Sequence, residues 1–311
     1  MKVSHRHAGL AALGIAALLT AGFAAAAPAG ASATSTARFW SGTDSNYIAL
    51  GHSTPYREPA IGGSYGGYIG MIGNWANWQH CGDRVVWSKA DSDAARTNLS
   101  RYHLGIGVGA YWFMAGPGVD PKYNGRLKEA AAWGQAQAAA ALKDIKGHQP
   151  AITYPVVFLD VELPGDAPGY TPAPDNGWNA VYTSACSGRV RVSHLSSSLD
   201  RADFNGFADY LTAHSSYKAG VYSAPGIWAQ ISGTGTNASI PNTYEWTYTG
   251  DSASLAHHPS GWCLSGTSTC AQFFGGVTAA KKYALMWQWP GGGGTYNGYG
   301  DFDQIDGSRT P

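Results

Sequence analysis

The chain has 311 residues, 20 Lys plus Arg against 20 Asp plus Glu, and only 13% charged residues. A neutral chain with no basic block lacks the phosphate-binding footprint of a non-specific nucleic-acid binder. At 44% hydrophobic and 13% aromatic it is too apolar for a disordered protein, and its length suits one large domain or two ordinary ones.

The N-terminus carries Lys2, His5, Arg6 and His7, then an apolar run from Ala8 to Phe23, then small residues through Ala33. This is the order of a secretory signal. Residues 1–31 are expected to be removed, with Ala33 as the alternative cleavage point, which leaves 32–311 as one secreted domain. A retained anchor is the competing reading, against which the apolar run falls short of the ~20 residues that a spanning helix needs. Cys81, Cys186, Cys263 and Cys270 all follow the signal, and an even count in an oxidising compartment reads as two disulfides. Cys263 with Cys270 would close a short polar loop, leaving Cys81 with Cys186, although other pairings are open. No C-x-x-C or His-rich spacing suggests zinc.

In chain order, short β-branched or aromatic runs bounded by Gly, Pro or Asn predict strands at 38–41, 67–72, 105–113, 154–161, 219–223, 244–249, 271–274 and 284–289. Between them, Leu127 to Ile145 reads as a helix rich in Ala, Gln, Glu and Lys. Leu199 to His214 reads as a second, with Phe204, Phe207 and Leu211 at helical spacing. Strands alternating with helices imply an α/β fold with a parallel sheet. Seven or eight strands over this length fit a single (β/α) barrel of the TIM type, if an irregular one. A doubly wound open sheet is the alternative, but no strand runs into a G-x-G-x-x-G turn.

The most informative segment is Y-P-V-V-F-L-D-V-E-L, Tyr154 to Leu163. Residues two apart on a strand share a face, so Asp160 and Glu162 project together, roughly 7 Å apart along the backbone. They follow the apolar run, at the C-terminal strand end where barrels carry their catalytic groups. Two carboxyls this close disfavour joint ionisation, so one is expected to hold a proton near neutral pH. Glycoside hydrolysis requires such a pair, one carboxyl as proton donor and one for the other half of the step. Two plainer readings stay open: acidic residues at a solvated strand end, and a divalent-cation site.

Five blocks give the pair a context: L-G-I-G-V-G-A-Y-W-F at 104–113, A-A-W-G-Q-A-Q-A-A at 131–139, F-L-D-V-E at 158–162, A-G-V-Y-S-A-P-G-I-W at 219–228, and M-W-Q-W followed by G-D-F-D-Q at 300–304. Their order resembles family-25 glycoside hydrolases, the lysozyme-type muramidases, and the related secreted barrel proteins of unknown function. The resemblance implies that Glu162 is the general acid and Asp160 its partner, assisting the substrate N-acetyl group. It likens Asp303 to the family's late carboxylate, with Asp301 as a competitor for that role, and Asp44, in S-G-T-D-S, to the early aspartate at the end of the first strand. Where the family has A-Y-H-F, this chain has Ala110, Tyr111, Trp112 and Phe113, so an indole replaces a polar group near the sugar. The stretch from Ser45 to Asn98 is also longer and richer in Gly than in a compact muramidase.

Flat aromatic faces cover sugar rings well, which makes Tyr111, Trp112, Trp287 and Trp289 candidates for substrate binding. Trp75, Trp78 and Trp87 crowd one loop-rich region, whereas Trp133, inside a helix, reads as packing. G-G-S-Y-G at 62–66 formally matches a nucleophile elbow, but a strand-like run follows where a helix is needed, so Ser64 is set aside. Gly291 to Gly294 lacks the Lys of a phosphate loop, and His257 with His258 reads as surface loop. The expectation is a secreted monomer acting on a cell-wall glycan, peptidoglycan by resemblance. It needs no metal or organic cofactor, and it has no nucleic-acid partner and no stable membrane insertion. A non-catalytic glycan-binding or structural module of the cell envelope is the competing class.

Overall fold

The fold is a mixed α/β arrangement built on a mostly parallel sheet, here described from a computed structural model over residues 39–45, 65–74, 107–148, 152–163, 176–183, 189–233, 244–248, 286–289 and 301–306. All of them fall in one unit, Ala37–Pro311. The strands are β1 (Phe39–Ser45), β2 (Tyr65–Asn74), β3 (Gly107–Phe113), β4 (Val156–Asp160), β5 (Val181–Tyr182), β6 (Val190–Val192), β7 (Lys218–Ser223), β8 (Tyr244–Tyr248), β9 (Met286–Trp289) and β10 (Asp301–Asp306). Three helices accompany them among the described residues: α1 (Leu127–His148), α2 (Ser197–His214) and α3 (Pro225–Ser232). The four cysteines, the predicted strand at 271–274, the signal segment, Ser64, Trp75, Trp78, Trp87, His257, His258 and Gly291 to Gly294 lie outside the described residues.

Eight strands pair in the order β1-β10-β9-β8-β7-β4-β3-β2, and β2 pairs back onto β1, so the sheet closes on itself as a barrel. Six of the pairings are parallel. The expected all-parallel sheet is corrected at β10, which runs antiparallel to both β9 and β1. The reason is local: β10 begins twelve residues after β9 ends, a short return that suits antiparallel neighbours better than a crossover helix. β5 and β6 form a separate two-stranded sheet.

Strand alternation divides the apolar residues into two cores. On β4 all five residues are buried, as expected of a strand covered on both faces. Val156 and Phe158 face inward with Tyr111, Phe113, Tyr222, Trp246 and Met286. Val157 and Leu159 face outward with Trp112, Phe204 and Phe207 under the helices. Trp246 is central to the inner core, its ring 4.5 Å from Tyr222, 5.3 Å from Phe158 and 6.0 Å from Tyr111 between centroids. On the outer side, α1 and α2 meet glycine to backbone: a Cβ on Gly134 would run into the Asp203 carbonyl oxygen, and one on Gly206 into that of Ala131. These two glycines set how closely the helices approach.

Candidate active site

The acidic segment is held by its own backbone. The Asp160 carbonyl accepts from Met114 N–H at 2.9 Å, and Val161 N–H donates to the Tyr222 carbonyl at 3.0 Å. The Val161 carbonyl accepts from Ser223 Oγ at 2.8 Å, and the Glu162 carbonyl from Asn176 Nδ2. Buried carbonyls left unmatched would be costly, and here each one from 160 to 162 has a donor. Asn176 is placed by a close-packed turn. Its carbonyl accepts from Gly116 N–H at 2.6 Å, and the next residue, Gly177, has φ +83°, a left-handed conformation suited to glycine. Asp160 and Glu162 therefore sit on a segment tied to β3, β7 and the turn at 176–177.

Asp160 closes β4 on the inward face and is only 6% exposed, while Glu162, two residues on, retains partial access to solvent. Burial pushes the Asp160 carboxyl well above the usual carboxylate range, and the negative charges of Glu162 and then Asp44 push it further. That interaction brings together three of the residues singled out from sequence, from β1, from β4 and from just beyond β4. Asp160 Oδ1 has no hydrogen-bond partner among the described residues. A buried carboxyl in that position is better matched by its neutral form than by its anion.

Asp303, on β10, is fully buried and its Oδ1 accepts from Trp246 Nε1 at 2.8 Å. Asp44 is also buried, and its Oδ1 accepts from Gln288 Nε2 at 2.7 Å. Gln288 in turn accepts at Oε1 from the Tyr222 hydroxyl. Asp301 sits opposite Asp44 in the β1–β10 register, with Asp303 opposite Gly42. Tyr111 faces inward, edge-on to Trp246 at an interplanar angle of 74°. Trp287 and Trp289 flank Gln288 on β9, opposite Gln304 and Phe302 of β10.

Trp112 is the departure. Because Tyr111 takes the inward face, its neighbour must face the other way, and Trp112 is wholly buried beneath the helices against Phe207. Its Nε1 donates to Gln137 Oε1 of α1 at 3.5 Å. The indole is thus part of the packing between β3 and α1 and is not available to a sugar. Sequence reasoning also missed Trp246, Gln288, Tyr222 and Asn176 as residues of the site. For Gln288 a signal existed in M-W-Q-W, where the tryptophans drew attention away from the glutamine between them. Nothing in the chain near Asn176 points to its role, which depends on a contact across fourteen residues. Among the described residues no group of His, Cys, Asp and Glu is arranged to hold a metal ion.

With this geometry the chain is a mixed α/β protein in which Asp44, Asp160 and Glu162 come together near the ends of β1 and β4, and it can be compared with solved structures. It is similar to the modular autolysin LytC from Streptococcus pneumoniae, at 13% identity and a TM-score of 0.46 over 86% of this chain and 46% of that one. The chain therefore spans about half the length of that autolysin, which has also been solved in complex with a synthetic peptidoglycan ligand. It is similar to the bacterial lysozyme from Streptomyces coelicolor, at 17% identity and a TM-score of 0.45 over 89% of this chain and 96% of that one. It is similar as well to a family GH25 lysozyme from Aspergillus fumigatus, at 16% identity and a TM-score of 0.44 over 86% and 94%. No protein-family model matches the chain, and neither does any curated protein.

Proposed function

We propose that the protein is a secreted glycoside hydrolase of cell-wall glycan, with peptidoglycan as its substrate, working by carboxylate acid catalysis. The observation that carries the reading is the Asp160–Glu162 pair: one member buried, its carboxyl pushed well above the usual carboxylate range, the other partly open to solvent two residues along, on a segment whose carbonyls are all held. In this reading the pair shares one proton, which belongs to the pair as a whole. Delivered from Glu162, the accessible member, to the glycosidic oxygen, it leaves Asp160 as the carboxylate that assists the substrate N-acetyl group. Asp44 and Asp303 add negative charge near the developing cation, each steadied by a buried donor. Tyr111, on the inward face, is proposed to bind the sugar, and Trp112 is not. The five sequence blocks carry the choice of peptidoglycan over other glycans. Removal of the signal at Ala31 or Ala33, release from the cell and a monomeric state belong to the same reading.

A second reading draws on the burial of Asp44, Asp160 and Asp303, which suits a rim that binds a glycan without cleaving it. Incubating the mature protein with purified peptidoglycan separates the two. Soluble fragments with new reducing ends, seen by mass spectrometry, support the hydrolase. Retention on the polymer with no fragments supports the binding module.

A further inference from the structure

Gln288 is buried in β9, 3% exposed, and both ends of its amide are engaged. Oε1 accepts from the Tyr222 hydroxyl of β7, and Nε2 donates to Asp44 Oδ1 of β1 at 2.7 Å. The two bonds are not independent. A primary amide has acceptors at one end and donors at the other, and an ionised carboxylate can only accept. An anionic Asp44 therefore selects the Nε2 end, which leaves Oε1 for Tyr222 and obliges its hydroxyl to donate. With the amide turned over, Oε1 would meet Asp44 Oδ1, an arrangement that holds only when Asp44 is protonated. The charge on Asp44 and the direction of the Tyr222 O–H are thus linked through one side chain.

The surroundings give that link a consequence. Tyr222 is the Cα partner of Asp160 across β4 and β7. Glu162 follows β4, and Asp303, opposite Gln288 in the β9–β10 register, is held by Trp246. Asp44 is one of the two charges that act on Asp160.

We infer that Gln288 is a positioning residue: its amide locks Asp44 as a carboxylate and Tyr222 as a donor, beside the Asp160–Glu162 pair. The inference rests on the hydrolase reading for its purpose but not for its test. That test is a carbon-13 NMR titration of the mature chain labelled at its aspartate carboxyls, with the Asp44 signal assigned by its loss in Asp44→Asn. Gln288→Met removes both bonds and keeps the volume, and the midpoint of Asp44 should move up by about one pH unit, a tenfold gain in proton affinity, because the charge-assisted bond to the anion is gone. Gln288→Leu also lacks both amide ends and adds no titratable group, so it should move the midpoint in the same direction, and it serves if the methionine variant does not fold. An unchanged Asp44 midpoint in a folded variant of either kind overturns the inference. Reducing-end release is read in parallel: release by the parent with an unmoved midpoint discards the role of Gln288 and keeps the hydrolase. A moved midpoint in a protein that releases nothing keeps the role of Gln288 and discards the hydrolase.

Discussion

Gln137 shows how a single side chain can stand in for a missing strand. It is fully buried on α1, and its amide meets both backbone groups of Ala115, accepting from the N–H at 2.9 Å and donating to the C=O at 2.8 Å. Ala115 lies just past the end of β3, where the ladder no longer supplies partners, and Trp133 Nε1 adds a second donor to its carbonyl at 3.1 Å. Gln137→Leu should leave the Ala115 N–H without a partner and cost about 1–3 kcal/mol, seen as a lower midpoint in urea. An unchanged midpoint would show that the glutamine is incidental. Asp160 gives a prediction of opposite sign. Its proton is kept in the folded chain at pH values where the unfolded chain has lost it, so it lowers stability as the pH rises above about 4. Asp160→Asn should therefore raise Tm at pH 8 and leave it nearly unchanged at pH 4, while lowering hydrolysis. Equal Tm shifts at the two pH values would contradict the buried, protonated carboxyl. At this scale the sequence was half legible. The D-x-E pair could be seen because the strand period of two puts both carboxyls on one face. The same alternation, applied one residue over at Tyr111, would have turned Trp112 outward, but the family motif suggested otherwise.

Among the elements, α2 carries the most unusual chemistry outside the site. Asp200 and Asp203 are one helical turn apart and buried, and both oxygens of Asp203 are without hydrogen-bond partners among the described residues. Burial pushes the Asp200 carboxyl up to about 8, with Arg201 opposing. It lifts Asp203 well above the usual range too, helped by the charges of Asp200 and of Asp120, which follows the short 3-10 turn at Pro117–Val119. Both groups bind a proton more tightly folded than unfolded, so the stability they contribute is fully present below about pH 4 and is lost as the pH rises. The share due to Asp200 is fully lost just above pH 8. A thermal melt series from pH 4 to 9 should show that decline, with a shallower slope in Asp200→Asn; a flat series in the parent would contradict it. The approach of α1 to α2 makes a steric prediction. Gly206→Ala or Gly134→Ala must push two helix backbones apart and should cost about 1–3 kcal/mol, read from denaturant midpoints. The apolar spacing of Phe204, Phe207 and Leu211 announced α2, and composition announced α1. Their glycine contact was hidden, because a glycine's role depends on the backbone that faces it.

At the scale of the whole molecule, closure of the sheet assembles the site. Asp44 and Gln288 are 244 residues apart in sequence and hydrogen-bonded. They meet because β10 runs between β9 and β1, antiparallel to both. The alternation of strands and helices was enough to expect an α/β barrel. The reversal at β10 was not, since G-D-F-D-Q was read for its carboxylates and no strand was expected there. Long-range pairing of this kind leaves no local pattern, which is why the supports of the carboxylates were harder to find than the carboxylates themselves. The central claim is that Glu162 delivers the proton held by the pair. It is tested most directly by reducing-end release from purified peptidoglycan by the mature protein and by Glu162→Gln, with the fold of the variant checked by near-UV circular dichroism. The account predicts release by the parent and a fall of about 10²–10⁴-fold in the variant, the usual worth of a positioned general acid. Equal release by the two proteins would contradict it.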